Sequence, residues 1–129
     1  MKPIIVKTPI VLVVDDEEDL LFLIKRKLEK EGYEVVISPN GEHLKESIDS
    51  SHPDIILLDI TMRDKSGADI CKDLKTDEHT SNIPVILFSG NDNIVETAST
   101  CGADGYISKP FDVSSVKKVF EDALKKHAA

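Results

Sequence analysis

Three aspartates carry the chemistry that this chain could do. Asp15 and Asp16 stand behind the apolar run Ile10-Val11-Leu12-Val13-Val14, and Asp59 closes a second run, Ile55-Ile56-Leu57-Leu58. If the two runs are neighbouring strands, three carboxylates crowd into a small volume and repel one another unless something neutralises them. A hard divalent cation does that, and magnesium (or manganese) favours one or two carboxylates with waters and phosphate oxygens. The plainer account of Asp15-Asp16-Glu17-Glu18 is a helix start, where acids favour the positive end of the dipole. That account suffices for Glu17 and Glu18. For Asp15 and Asp16, Asp59 and Lys109 tip the balance toward function.

A charge at the end of a buried strand is either exposed at a rim or has work to do. A carboxylate can act as a nucleophile and become an aspartyl phosphate. The transferring phosphoryl group gathers charge, so the site needs cations and hydrogen-bond donors around it. Lys109 follows the run Tyr106-Ile107-Ser108 and could supply one cation, the Ser89 hydroxyl could donate, and Gly90 leaves room. Taken singly, Lys109 reads as a surface lysine and Ser89 as a turn residue. Their shared position at strand ends favours the site.

The elements that must position these groups alternate between two kinds. Ile10–Val14, Ile55–Leu58 and Val85–Phe88 are short, unbroken apolar runs, suited to strands buried on both faces. Tyr33–Ile37 and Tyr106–Ser108 are weaker strand candidates. Amphipathic stretches lie between and after them, at Glu18–Glu31, Gly41–Ser50, Ser66–Thr76, Asn93–Thr100 and Val113–Lys126. The order is βαβαβαβαβα, an α/β class in which the helices supply the crossovers that parallel strands need. Function in such a sheet sits at the carboxyl ends of the strands. The second strand ends in Ser38-Pro39-Asn40, which reads as an ordinary turn.

Length and composition narrow the rest. The 129 residues suit one domain, 9–129, after a short tail, 1–8. The formal charge of −8 argues against a nucleic-acid binder. No apolar run approaches the ~20 residues that span a bilayer, and the start lacks the pattern of a signal peptide. Cys71 and Cys101 read as reduced thiols of a cytoplasmic protein. The four histidines are scattered without zinc-ligand spacing. No glycine-rich nucleotide loop is present, so a phosphoryl donor would be another protein's phosphohistidine or a small acyl phosphate. Lys117, Lys118, Lys125 and Lys126 read as a solvated basic strip on the last helix.

The ordered set of strand-end motifs resembles the receiver domain of a two-component response regulator, similar to the chemotaxis-type single-domain regulators. The matching residues are Val13-Val14-Asp15-Asp16-Glu17, Pro53-Asp54-Ile55-Ile56-Leu57-Leu58-Asp59 with Met62 and Gly67, Ser89-Gly90, and Tyr106-Ile107-Ser108-Lys109-Pro110-Phe111. They cover roughly residues 9 to 126. The resemblance implies a flavodoxin-like, doubly wound (βα)5 fold whose five parallel strands run in the order 2-1-3-4-5. It implies Asp59 as phosphoacceptor, a magnesium site of Asp15, Asp16, Asp59 and the Thr61 carbonyl, and Ser89 and Lys109 gripping the phosphoryl oxygens. Tyr106 becomes a rotating aromatic coupled to Ser89, and Lys109-Pro110 a cis bond. Departures from the family pattern are Arg63 where proline is frequent, Ser89 in place of threonine, and a short Ser89–Lys109 segment that predicts an abbreviated fourth helix.

The reading is a phosphorelay protein that takes its phosphoryl group from a histidine kinase or histidine phosphotransfer protein. As a cytoplasmic monomer without nucleic-acid or membrane contacts, it then switches binding to a downstream protein or passes the group on. No output domain is expected after residue 126. A rival is a phosphatase with an aspartate nucleophile, but the position two residues on, where that chemistry usually wants an acid, holds Thr61. Another is an interaction module with vestigial carboxylates. Thr61 and Asn91 are placed beside the path of hydrolytic water. On the first helix, 100° per residue puts Leu20, Leu23, Ile24 and Leu28 on the buried stripe and Phe22 outside it. Leu21 sits at the edge of the stripe, so Leu21 and Phe22 become the expected docking patch.

Overall fold

Runs of four or five aliphatic residues cannot lie on a surface without exposing half their side chains, so they are driven between two layers of helix. In the computed structural model, which describes residues 8–62, 66–90, 93–108 and 113–127, they do lie there. The elements are β1 (Ile10–Val14), α1 (Glu18–Lys30), β2 (Glu34–Ser38), α2 (Leu44–Ser51), β3 (Ile55–Asp59), α3 (Gly67–Thr76), β4 (Val85–Ser89), α4 (Ile94–Cys101), β5 (Gly105–Ser108) and α5 (Val113–His127). The sheet is parallel with order β2-β1-β3-β4-β5, as the resemblance implies. The expected tail lies outside the described residues except for Thr8. Among the described residues no helix is long and apolar enough to cross a membrane.

Successive strand side chains point to opposite faces, so each run feeds two cores. Val11, Val13, Ile55, Leu57, Ile86 and Phe88 join residues of α1 and α5. Leu12, Val14, Ile56, Leu58, Val85 and Leu87 join residues of α2, α3 and α4. β1, β3 and β4 are buried along almost their whole length.

The differences from expectation have local causes. β2, β3 and β4 each run one residue past the apolar run, to Ser38, Asp59 and Ser89. The ladder continues there because a polar side chain does not interrupt backbone pairing: Asp59 stands opposite Phe88, and Ser89 opposite Ser108. α2 starts at Leu44 instead of Gly41, because a turn intervenes in which Asn40 Oδ1 accepts the Glu42 N–H at 3.0 Å. α4 spans eight residues, in keeping with the abbreviated helix expected. On α1 the buried residues are Leu21, Ile24 and Leu28, a stripe turned by about 60° from the expected one. Leu23 is therefore outside, at 50% exposure, and Leu21 is core, at 1%.

The amino edge of the sheet is braced by acids. Asp54 Oδ2 accepts the Ile10 N–H at 2.8 Å, and Asp104 Oδ2 accepts the Val85 N–H at 2.9 Å. Asp104 also binds the Lys75 ammonium at 2.9 Å, with both side chains nearly buried. Lys75 Nζ further donates to the Ser81 and Ile83 carbonyls at 2.8 and 3.0 Å, so each of its three protons has an acceptor. The ammonium thus ties the end of α3 and the following turn to the start of β5. Breaking a buried pair from one side leaves a buried charge and costs about 3–5 kcal/mol. Asp104→Ala should lower the unfolding free energy by that order in urea titration, and adding Lys75→Met should restore a substantial part.

Candidate functional site

The strand order reverses its direction of winding between β1 and β3, the position at the carboxyl edge where such sheets bind their ligands. Val14 stands opposite Leu58 in the ladder. The next residues along the two strands, Asp15 and Asp59, therefore meet at that edge, and Asp16 follows. One carboxylate oxygen from each of Asp15, Asp16 and Asp59 lies within 4.8 Å of the others. Asp15 is fully buried and Asp59 is 2% exposed, while Asp16 is half-buried.

Backbone amides hold the two buried acids in place. Glu17 N–H donates to Asp15 Oδ1 at 2.9 Å, and Thr61 N–H donates to Asp59 Oδ1 at 3.2 Å. Both bonds close two-residue turns from the acid to its own chain, a habit of aspartate at strand ends. The Asp15 N–H in turn donates to the Ser38 carbonyl at 3.2 Å. The donor set is all oxygen and anionic, which suits a hard cation and not zinc with its nitrogen and sulfur ligands. The cluster is a magnesium site by that chemistry.

The loop from β3 to α3 is clamped at both ends. Met62 is buried in the α2–α3–α4 core, and the Gly67 N–H donates to the Ile60 carbonyl at 2.9 Å. A Cβ at Gly67 would collide with the Asp59 carbonyl oxygen and the Ile60 Cα. Glycine is required here by space, and the backbone of α3 rests directly on the residue that carries the central carboxylate.

Ser89, at the end of β4, is buried at 2% exposure. Tyr106 stands opposite Leu87 on β5 and is 43% exposed. Thr61 is exposed on the loop after Asp59. Lys109, the Lys109-Pro110 bond, Asn91 and Arg63 lie outside the described residues. Phe22 is 57% exposed on α1, beside Leu23. Leu21 cannot extend a docking patch from the core, and the apolar neighbour of Phe22 is Leu23. Sequence reasoning read Ser38 only as part of an ordinary turn; it is buried, carries the carbonyl that fixes the Asp15 amide, and donates its hydroxyl to the Asn40 carbonyl at 2.9 Å. Its only sequence signal was its place at a strand end.

Comparison with known proteins agrees with this geometry. A family model for the response regulator receiver domain matches residues 11–121. The alkaline phosphatase synthesis transcriptional regulatory protein PhoP of Bacillus subtilis is 32% identical over 108 residues, covering 82% of this chain and 44% of that protein. The regulatory protein VanR of Enterococcus faecium is 39% identical over 103 residues, covering 78% of this chain and 43% of that protein. The chain spans about half the length of the curated relatives it matches. The solved response regulator signal receiver domain from Bermanella marisrubri is 28% identical with a TM-score of 0.83, covering 92% of this chain and 99% of that one.

Magnesium should raise the melting temperature in a concentration-dependent way, by about 1.4 kcal/mol of stability at ten times its dissociation constant. Asp16→Ala should remove most of that rise in a thermal-shift titration. Gly67→Ala should cost roughly 2 kcal/mol or more through the backbone collision, and calorimetry on the metal-free protein would read it.

Proposed function

The chain belongs to the response regulator receiver domain family, and from that premise we propose that it works in a phosphorelay by taking a phosphoryl group onto Asp59. The observation that carries the reading is the gathering of Asp15, Asp16 and Asp59 within 4.8 Å at the carboxyl edge of the sheet. Receivers of this family interact with histidine kinases or histidine phosphotransfer proteins, so the proposed donor is a phosphohistidine. An Asp59 carboxylate oxygen forms the new bond to phosphorus as the bond from phosphorus to the imidazole nitrogen breaks.

Each residue has a role in this reading. Asp15 and Asp16, with Asp59 and the Thr61 carbonyl, hold the divalent cation. When bound, that cation supplies the positive charge that offsets the carboxylates and the phosphoryl oxygens. The Thr61 N–H keeps the Asp59 carboxylate oriented on its loop. The Ser89 hydroxyl and Lys109 receive the phosphoryl oxygens, and Tyr106 on the neighbouring strand moves with Ser89. Thr61 and Asn91 set how easily water reaches the adduct.

Phe22, with Leu23, forms the surface on which the donor's helix docks. In support, α1 begins at Glu18, two residues past Asp16, so its outward face borders the carboxylates. The cytoplasm is the compartment this reading assigns, in keeping with two cysteines that are not bridged.

Asp59→Asn should abolish labelling by acetyl phosphate and magnesium in intact-mass measurements. It should leave the fold intact and the metal-free stability equal or higher, since one of three crowded charges is gone. Phe22→Ala should slow phosphotransfer from the cognate histidine protein, by about 30-fold or more if Phe22 is a docking hot spot worth ~2 kcal/mol. Acetyl phosphate labelling, which needs no docking, should stay nearly unchanged in that variant. Equal loss in both reactions would count against docking at Phe22.

A further inference from the structure

Two cysteines take no part in the site, and their placement points to a use of their own. Cys71 on α3 and Cys101 at the end of α4 are both buried, at 0% and 6% exposure, in one core on the same face of the sheet. They are 30 residues apart in sequence, yet the Cys71 thiol donates to the Cys101 carbonyl at 3.6 Å. The Cys101 thiol in turn donates to the Ala98 carbonyl at 3.8 Å. We propose that Cys71 and Cys101 form a reversible redox pair that closes to a disulfide between α3 and α4 when the protein meets a peroxide.

The two thiols are not equivalent. Cys101 helps to line a groove of about 370 Å³ between α3 and α4, whose other walls include Lys72, Asn93, Thr97 and Thr100. Cys71 lies behind it, and burial, reinforced by the neighbouring Cys101 thiol, pushes its thiol well up from the ordinary range. A small oxidant entering the groove therefore meets Cys101 first. The Cys101 thiol gives two electrons to hydrogen peroxide, becoming a sulfenic acid and releasing one water. The Cys71 sulfur then forms the S–S bond, its proton leaving with the sulfenic hydroxyl as a second water. Two thiols are oxidised and one peroxide is reduced.

The product would join the middle of α3 to the last residue of α4, and α4 begins at Ile94, five residues beyond Ser89. The bond would thus restrain the helix that follows Ser89 in the chain. The chemistry of the pair does not depend on the phosphoryl reading. The rival account is that the Cys71 thiol serves only to occupy a carbonyl at the end of α4.

The test is intact-mass and peptide mapping of the unaltered chain after hydrogen peroxide, with and without later dithiothreitol. The expected result is a loss of about 2 Da, a cross-linked peptide containing Cys71 and Cys101, reversal by the reductant, and a higher melting temperature of the oxidised form. Cys71→Ser should instead trap a dimedone-reactive sulfenic acid on Cys101, whereas Cys101→Ser should leave Cys71 unreacted. Native protein that stays at its starting mass while the urea-unfolded chain oxidises would overturn the proposal. So would oxygen addition at both cysteines without a cross-link, or dimers joined between chains.

Discussion

A strand buried on both faces can carry a charge in one place only, its end. This constraint shapes the molecule. β1 and β3 are so thoroughly enclosed that Asp15 and Asp59 have no alternative to the carboxyl edge, and the parallel ladder makes those two ends coincide. Three acids then face one another in a space from which much of the water is excluded. The free energy needed to hold them there is supplied by the apolar runs behind them. The sheet therefore presents three carboxylates together, an arrangement whose like charges a bound cation would offset.

The two edges of the sheet handle acidic residues in opposite ways. At the amino edge, Asp54 and Asp104 serve strand amides, and Asp104 is matched by the Lys75 ammonium. Those acids are consumed by the structure. At the carboxyl edge, the Glu17 N–H bonds Asp15 and the Thr61 N–H bonds Asp59, in each case at one oxygen of the carboxylate. The same residue type braces strand amides at one end and gathers into a cation-binding cluster at the other.

Much of this was legible in the sequence, for physical reasons. An unbroken β-branched run admits few structures other than a doubly covered strand, so the element order and the polar groups at the strand ends could be read directly. α1 was harder, because Leu20, Leu21, Phe22, Leu23 and Ile24 are all apolar. Five consecutive apolar residues surround more than half the helix and leave its phase to tertiary packing, which chose Leu21 over Leu23. Ser38 was illegible because it acts on Asp15 through a backbone carbonyl that any residue would carry. Gly67 was visible as part of a motif, but the space that demands a glycine is created by a residue eight positions earlier. Contacts of that kind exist only after folding.

The division of each strand between two cores has a consequence for how this chain can vary over evolutionary time. Odd-numbered residues of β1 and β3 belong to the α1–α5 side and even-numbered ones to the α2–α3–α4 side. Substitutions on one side are screened from the other by a layer of backbone, so the two helix sets can drift as nearly independent lineages of packing. Insertions and deletions have no such freedom. Losing a single residue from β3 would exchange the two inventories along the rest of that strand and invert the facing of its terminal carboxylate. Length in the strands is thus frozen by parity.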